Sequence, residues 1–184
     1  MIKLIDLISE AAQLSKYQIF SPGTGGKTAS GWKFDPNKVP TGQLKVYSAY
    51  DFGGRCFNKP HGTFWTSSYK QKYKGSEWTD YKKKKWPDWH SSMGAVFELT
   101  GSPKILRIRS QKDYDKAVKK YGIDTSDMGC GGGQYYLKWH EIAKHYDGFQ
   151  LASTKFIPGV HEWDVESTVW FNMKKLKFVG TTKV

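Results

Sequence analysis

Two carboxylates and a run of three hydroxyls are the side chains of this chain best placed to do chemistry. Asp164 and Glu166 flank Val165 and lead into the block Ser167-Thr168-Val169-Trp170-Phe171, which puts an acidic pair at the mouth of a buried strand. Residues two apart in an extended chain point to one side. Both carboxylates are therefore expected to face one site, where such a group can hold a hydroxyl or stabilise a developing cation. Upstream, Gly62-Thr63-Phe64-Trp65 reads as a second strand ending in the hydroxyls of Thr66, Ser67 and Ser68. Each group also has a plainer reading: a strand charge facing solvent, a loop acid, or hydroxyls that close a strand by bonding local backbone.

Together with Tyr146-Asp147-Gly148-Phe149, these blocks resemble the ADP-ribosyltransferase superfamily across residues 43–180. The resemblance implies an α+β fold, with a split β-sheet core and flanking helices. It also implies NAD as substrate. Glu166 is then the catalytic carboxylate that holds the ribose hydroxyl as nicotinamide leaves, and Asp164 orients or deprotonates the acceptor. The NAD site implied by the resemblance comprises Tyr47, Ser48, Arg55, Trp65, Thr66, Ser67 and Ser68, with Trp65 and Tyr47 stacked near nicotinamide. An early strand in that family carries an Arg or His that grips the dinucleotide. The matching Lys45-Val46-Tyr47-Ser48 has Ser48 in that place, so the grip would have to come from Arg55 or His61. Among the five histidines, His61 and His161 adjoin the two blocks, and none has metal-ligand spacing; no metal is expected.

A formal charge of +12 on 184 residues predicts salt-dependent attraction to polyanions, nucleic acid first among them. Tyr81-Lys82-Lys83-Lys84-Lys85-Trp86, with Trp89 close behind, joins charge to flat aromatic surface, as a site that neutralises phosphates and stacks bases requires. The same lysines also read as a solvated face. Cys56 and Cys130 have no zinc spacing and are too few for a disulfide framework, which points to a reducing compartment. No run is long enough to span a bilayer. The amino terminus also lacks the basic and apolar regions of a signal peptide.

Residues 1–12 place Leu4, Leu7, Ile8 and Ala11 on one helical face. One reading is an amphipathic helix packed on the domain. Another follows from Ile8-Ser9-Glu10 before Ala11, which resembles a prohead-protease site, so that residues 1–10 are similar to the capsid-targeting leader of internal head proteins of large tailed phages. Removing Lys3, Asp6 and Glu10 with that leader raises the net charge by one. Residues 11–42 read as an N-terminal segment whose later part, 21–42, is linker-like, and residues 43–184 as the domain. Gly23-Thr24-Gly25-Gly26-Lys27-Thr28 fails as a phosphate loop, because Ser21 stands where the first glycine belongs and no helix can start cleanly before Pro36.

Within the domain, strands are expected at 44–47, 63–66, 95–99, 105–108, 149–151, 166–171 and 176–179. Helices are expected after Ser110, ending at Gly122, and over 134–145. Short strands with flanking helices argue for an α+β fold. The expectation is a monomeric effector that moves ADP-ribose from NAD to a host protein or nucleic-acid target, stored in the virion interior and delivered to the host cytoplasm. The alternative is a non-enzymatic basic internal head protein that binds DNA or inhibits a host defence nuclease. The two separate on whether Ser67, Glu166 and a basic group converge.

Overall fold

The computed structural model of the chain describes residues 14–21, 34–48, 58–87, 93–124, 135–152, 157, 160 and 163–184. The leader, Arg55, Trp89, both cysteines and His161 lie outside them. The described residues form strands β1 (Tyr17–Phe20), β2 (Phe64–Ser68), β3 (Met93–Leu99), β4 (Ile105–Ile108), β5 (Gly122–Asp124), β6 (Tyr135–Leu137), β7 (Gly148–Leu151), β8 (Ser167–Trp170) and β9 (Leu176–Lys183). The helices are α1 (Glu77–Lys85), α2 (Gln111–Tyr121) and α3 (Trp139–His145).

Seven strands make one mixed sheet in the order β4-β7-β8-β2-β1-β3-β9, and β5 pairs with β6 separately. The fold is α+β. The one parallel pair among the described strands, β4 with β7, needs a crossover connection, and α2 and α3 lie within that crossover. Helix α2 buries Tyr114, Ala117 and Tyr121 at helical spacing, and the Ser110 hydroxyl caps its start by accepting from Asp113 N at 3.3 Å.

Alternation along the strands divides the core in two. Phe149, Leu151, Val169 and Ile108 pack with Trp139, Ile142 and the buried face of α2, whereas Phe64, Ala95, Phe97 and Trp170 form a second cluster. At one sheet edge β9 alternates half-buried with exposed residues, and its Lys177 and Lys183 discourage pairing with another strand.

The sheet has a seam in β2. Phe64, Trp65 and Thr66 pair with β8 on one side, while Ser67 and Ser68 pair with Ile19 and Gln18 of β1 on the other. The ladder to β8 thus stops where the ladder to β1 begins.

Three expectations are corrected. Residues 44–47 are not a strand: the backbones of Gln43 and Tyr47 make single bridges to Asn172 and His61. The helix expected over 134–145 is a strand followed by the shorter α3. Finally, the sheet reaches back to β1, which lies inside the segment read as preceding the domain; four residues give too little periodicity to be noticed beside a Gly-rich stretch.

Candidate functional site

Glu166 immediately precedes β8, at the point where the β2 ladder runs out. The register that pairs Thr66 with Thr168 sets Ser68 opposite Glu166. In place of a further backbone bond, the Glu166 carboxylate accepts from Ser68 N at 2.8 Å and Ser68 Oγ at 3.0 Å. Ser67 Oγ lies 2.7 Å from Glu166 Oε2 and 3.0 Å from the Glu166 carbonyl. Gln150 Nε2, from the neighbouring strand β7, donates to Oε1 at 2.7 Å. Glu166 is only 8% exposed, so these four donors replace its hydration.

A row of polar side chains crosses the sheet beside this carboxylate. Arg107 of β4 is in register with Gln150, Gln150 with Thr168, and Thr168 with Thr66. Thr66 Oγ1 donates to Gln18 Oε1 at 2.9 Å and accepts from Trp170 Nε1 at 2.8 Å. Gln150, Thr168, Thr66 and Gln18 are all buried, and Arg107 is half-buried. Burial chiefly, and then the like charge of Arg109, hold the Arg107 guanidinium below its ordinary range, while the Glu166 carboxylate pulls the other way. A cation is thus placed within electrostatic reach of the Ser67–Glu166 pair.

Helix α1 also joins the site. Its start is fixed by a reciprocal cap in which Ser76 Oγ accepts from Thr79 N and Thr79 Oγ1 accepts from Ser76 N. Glu77 Oε2 then accepts from Glu166 N at 3.4 Å, and Tyr81 donates to Asp164 Oδ1 at 3.0 Å. Burial and this bond to Asp164 raise the Tyr81 pKa. Asp164 is exposed and Val165 is bent, so the two carboxylates do not sit side by side on an extended strand. Each is held by different partners.

The other described members of the expected NAD site are dispersed. Ser48 is buried and serves α3, accepting from Trp139 N at 2.9 Å and donating to Leu137 O at 3.4 Å. Tyr47 and His61 bridge through their backbones. Trp65 packs on Trp163 with ring centroids 4.6 Å apart, within the aromatic group that includes Trp139 and Phe149. Thr66 serves the polar row rather than Glu166. Of the expected set, the structure brings together Ser67, Ser68 and Glu166. Surface cavities of about 360 Å³ near Phe34 and Phe64 and about 410 Å³ near Leu44 and His140 are not lined by this cluster.

The lysine run is also divided. Lys82 is corrected: at 2% exposure it turns inward, its Nζ donating to Ser21 Oγ at 3.1 Å and lying 5.9 Å from the Trp78 ring centre. Desolvation lowers its pKa to about 8. Helical geometry makes this unavoidable, because four consecutive residues span more than one full turn and one of them must face the sheet. Lys83, Lys84 and Lys85 are exposed. Beside them Trp78 stacks on Tyr81 at 5.9 Å, and Trp86 stands edge-on to both.

Sequence reasoning passed over Arg107, Gln150 and Glu77, and read Tyr81 only as part of the basic aromatic stretch. A signal existed for the first two: Ile105-Leu106-Arg107-Ile108 and Gly148-Phe149-Gln150-Leu151 each set a single long polar residue into an otherwise apolar strand. Compared with known protein families, curated proteins and solved structures, the chain matches none.

Proposed function

We propose that this chain is an ADP-ribosyltransferase-like effector that transfers ADP-ribose from NAD to a host macromolecule. The observation that carries the reading is the Ser67–Glu166 pair, set where the β2 ladder passes from β8 to β1, with the Arg107 cation in electrostatic reach. In this reaction the bond from the ribose C1′ to the nicotinamide nitrogen breaks, and its electron pair stays with nicotinamide. The sugar carbon gains oxocarbenium character, which Glu166 stabilises by accepting a hydrogen bond from the ribose hydroxyl. The acceptor's nucleophile then bonds to C1′ and gives up its proton, toward Asp164 in the transfer reaction or toward solvent when water is the acceptor.

Glu166 accepts from four donors of its own chain. The substrate hydroxyl displaces the Ser68 hydroxyl, the rotatable donor on the half-buried residue. Delivery from a virion follows from the resemblance of residues 1–10 to a capsid-targeting leader. Incubating the purified protein with labelled NAD and host lysate is the test. Transfer of label by the wild type and its loss in Glu166→Gln support the proposal; no NAD consumption with any acceptor rejects it.

A second reading is favoured by that same saturation of Glu166 and by the exposed Lys83-Lys84-Lys85-Trp86 face. There the carboxylate is a clamp across the seam, and the chain is a basic internal head protein that binds DNA or blocks a host nuclease through its surface. Salt-dependent DNA binding without NAD turnover would select it.

A further inference from the structure

The polar row beside Glu166 contains three atoms that the protein leaves without partners. Arg107 Nε, Gln150 Oε1 and Thr168 Oγ1 are sealed from solvent and make no hydrogen bond. They lie on three successive strands in direct register. Gln150 and Thr168 are 2% and 0% exposed, and folded proteins rarely leave such atoms unsatisfied. The orientation of the Gln150 amide is fixed by Glu166, because only Nε2 can donate to the carboxylate; its Oε1 must look for a donor elsewhere. Among the described residues no carboxylate pairs with Arg107. Its neighbour Arg109, by contrast, is bound to Asp113 at 3.2 Å.

We infer that Arg107, Gln150 and Thr168 form a subsite for a sugar phosphate, in which Arg107 takes the phosphate and Gln150 and Thr168 take an adjoining sugar hydroxyl. The three atoms supply that chemistry: a cationic N–H for phosphate oxygen, an amide oxygen that accepts from a hydroxyl, and a hydroxyl that does either. Arg107 is the half-buried member, so ligand entry to the row requires its side chain to move. Arg107 is in register, through Gln150, with Thr168, two residues after Glu166, so the backbones of Arg107 and Glu166 are on the order of 10 Å apart. The identification of the ligand as the diphosphate arm of NAD rests on the transferase reading; the anion site does not.

The probes are inorganic pyrophosphate and ADP-ribose, titrated calorimetrically into wild type, Arg107→Met, Arg107→Gln and Glu166→Gln at fixed ionic strength. Both probes are expected to bind the wild type, pyrophosphate is also expected to bind Glu166→Gln because Arg107 takes the phosphate, and both Arg107 variants are expected to bind the probes tenfold or more weakly, the scale of one charge-assisted hydrogen bond. Thermal unfolding of unliganded Arg107→Met is expected at or above the wild-type midpoint, since an unpaired half-buried charge is removed. A purely structural arginine would lower it. Wild-type affinity in both Arg107 variants, or no binding of either probe to the wild type, overturns the subsite. An unchanged KM for NAD in Arg107→Met would overturn the subsite while leaving the transferase reading intact. Arg107-dependent pyrophosphate binding without any NAD consumption would uphold the subsite and sink the transferase reading.

Discussion

Gln150 Nε2 lies 2.7 Å from Glu166 Oε1, and that bond ties the middle of β7 to the residue just before β8. It fixes the carboxylate's plane and the direction of the Gln150 carbonyl together. The same oxygen pair also receives Ser67 and Ser68 from β2, so one acidic side chain holds three strands at the seam of the sheet.

Glu166→Gln is expected to affect both stability and chemistry. Its amide nitrogen would face donors where the carboxylate now accepts, and loss of charge-assisted bonds costs about 2 kcal/mol. Thermal unfolding should fall by roughly 4–8 °C for a chain of this size. If Glu166 supports the reaction, NAD turnover measured well below that midpoint should drop by about 100-fold or more. Full turnover would remove this residue from the chemistry.

Asp164→Asn should behave differently, because Asp164 is exposed and is held at the site by the hydrogen bond from Tyr81. Stability should change by no more than about 0.5 kcal/mol. Transfer to an acceptor should fall more than NAD hydrolysis does. Equal loss in both assays would assign Asp164 to the sugar rather than to the acceptor.

Ser48→Ala tests the contribution of a buried hydroxyl to α3. It leaves Trp139 N and Leu137 O without a bond to this side chain, which costs about 1–2 kcal/mol. Urea unfolding should show the loss, while the affinity for NAD should be unchanged. Weaker NAD binding with unaltered stability would return Ser48 to the ligand site.

Lys82 gives a pH signature. Its folded-state pKa, about 8, lies below the ordinary 10.5, so between these values the unfolded chain binds more protons and stability rises with pH. Below about pH 8 the full penalty of charging a buried amine applies, up to about 3 kcal/mol. The difference in unfolding free energy between Lys82→Met and wild type should be largest near pH 7 and shrink toward pH 10.5. A difference independent of pH would mean that Lys82 titrates as a solvated lysine.

Replacing Lys83, Lys84 and Lys85 by Gln should weaken DNA binding and reduce the slope of log affinity against log salt by about 0.7–0.9 for each phosphate that is no longer neutralised. Lys82→Gln should leave that slope alone, since its amine is directed at Ser21. An unchanged slope in the triple variant would make these residues a solvated face.

Composition and local pattern determined a good deal of this protein. Ser110 followed by the Tyr114, Ala117 and Tyr121 face specifies α2 through short-range capping and burial, and runs rich in β-branched and aromatic residues such as Ile105 to Ile108 and Thr63 to Thr66 mark strands without reference to anything distant. The pairing of hydroxyls with Glu166 was also legible as an option, because each stands at the end of an apolar strand. Tertiary structure alone decided that Ser68 and Glu166, 98 residues apart, face each other in register, and that Arg107 completes the row where Ser48 does not. It also turned Lys82 inward, a choice that depends on which side of α1 meets the sheet. Strand order and helix orientation arise from interactions between residues far apart in the chain, and no local spacing encodes them.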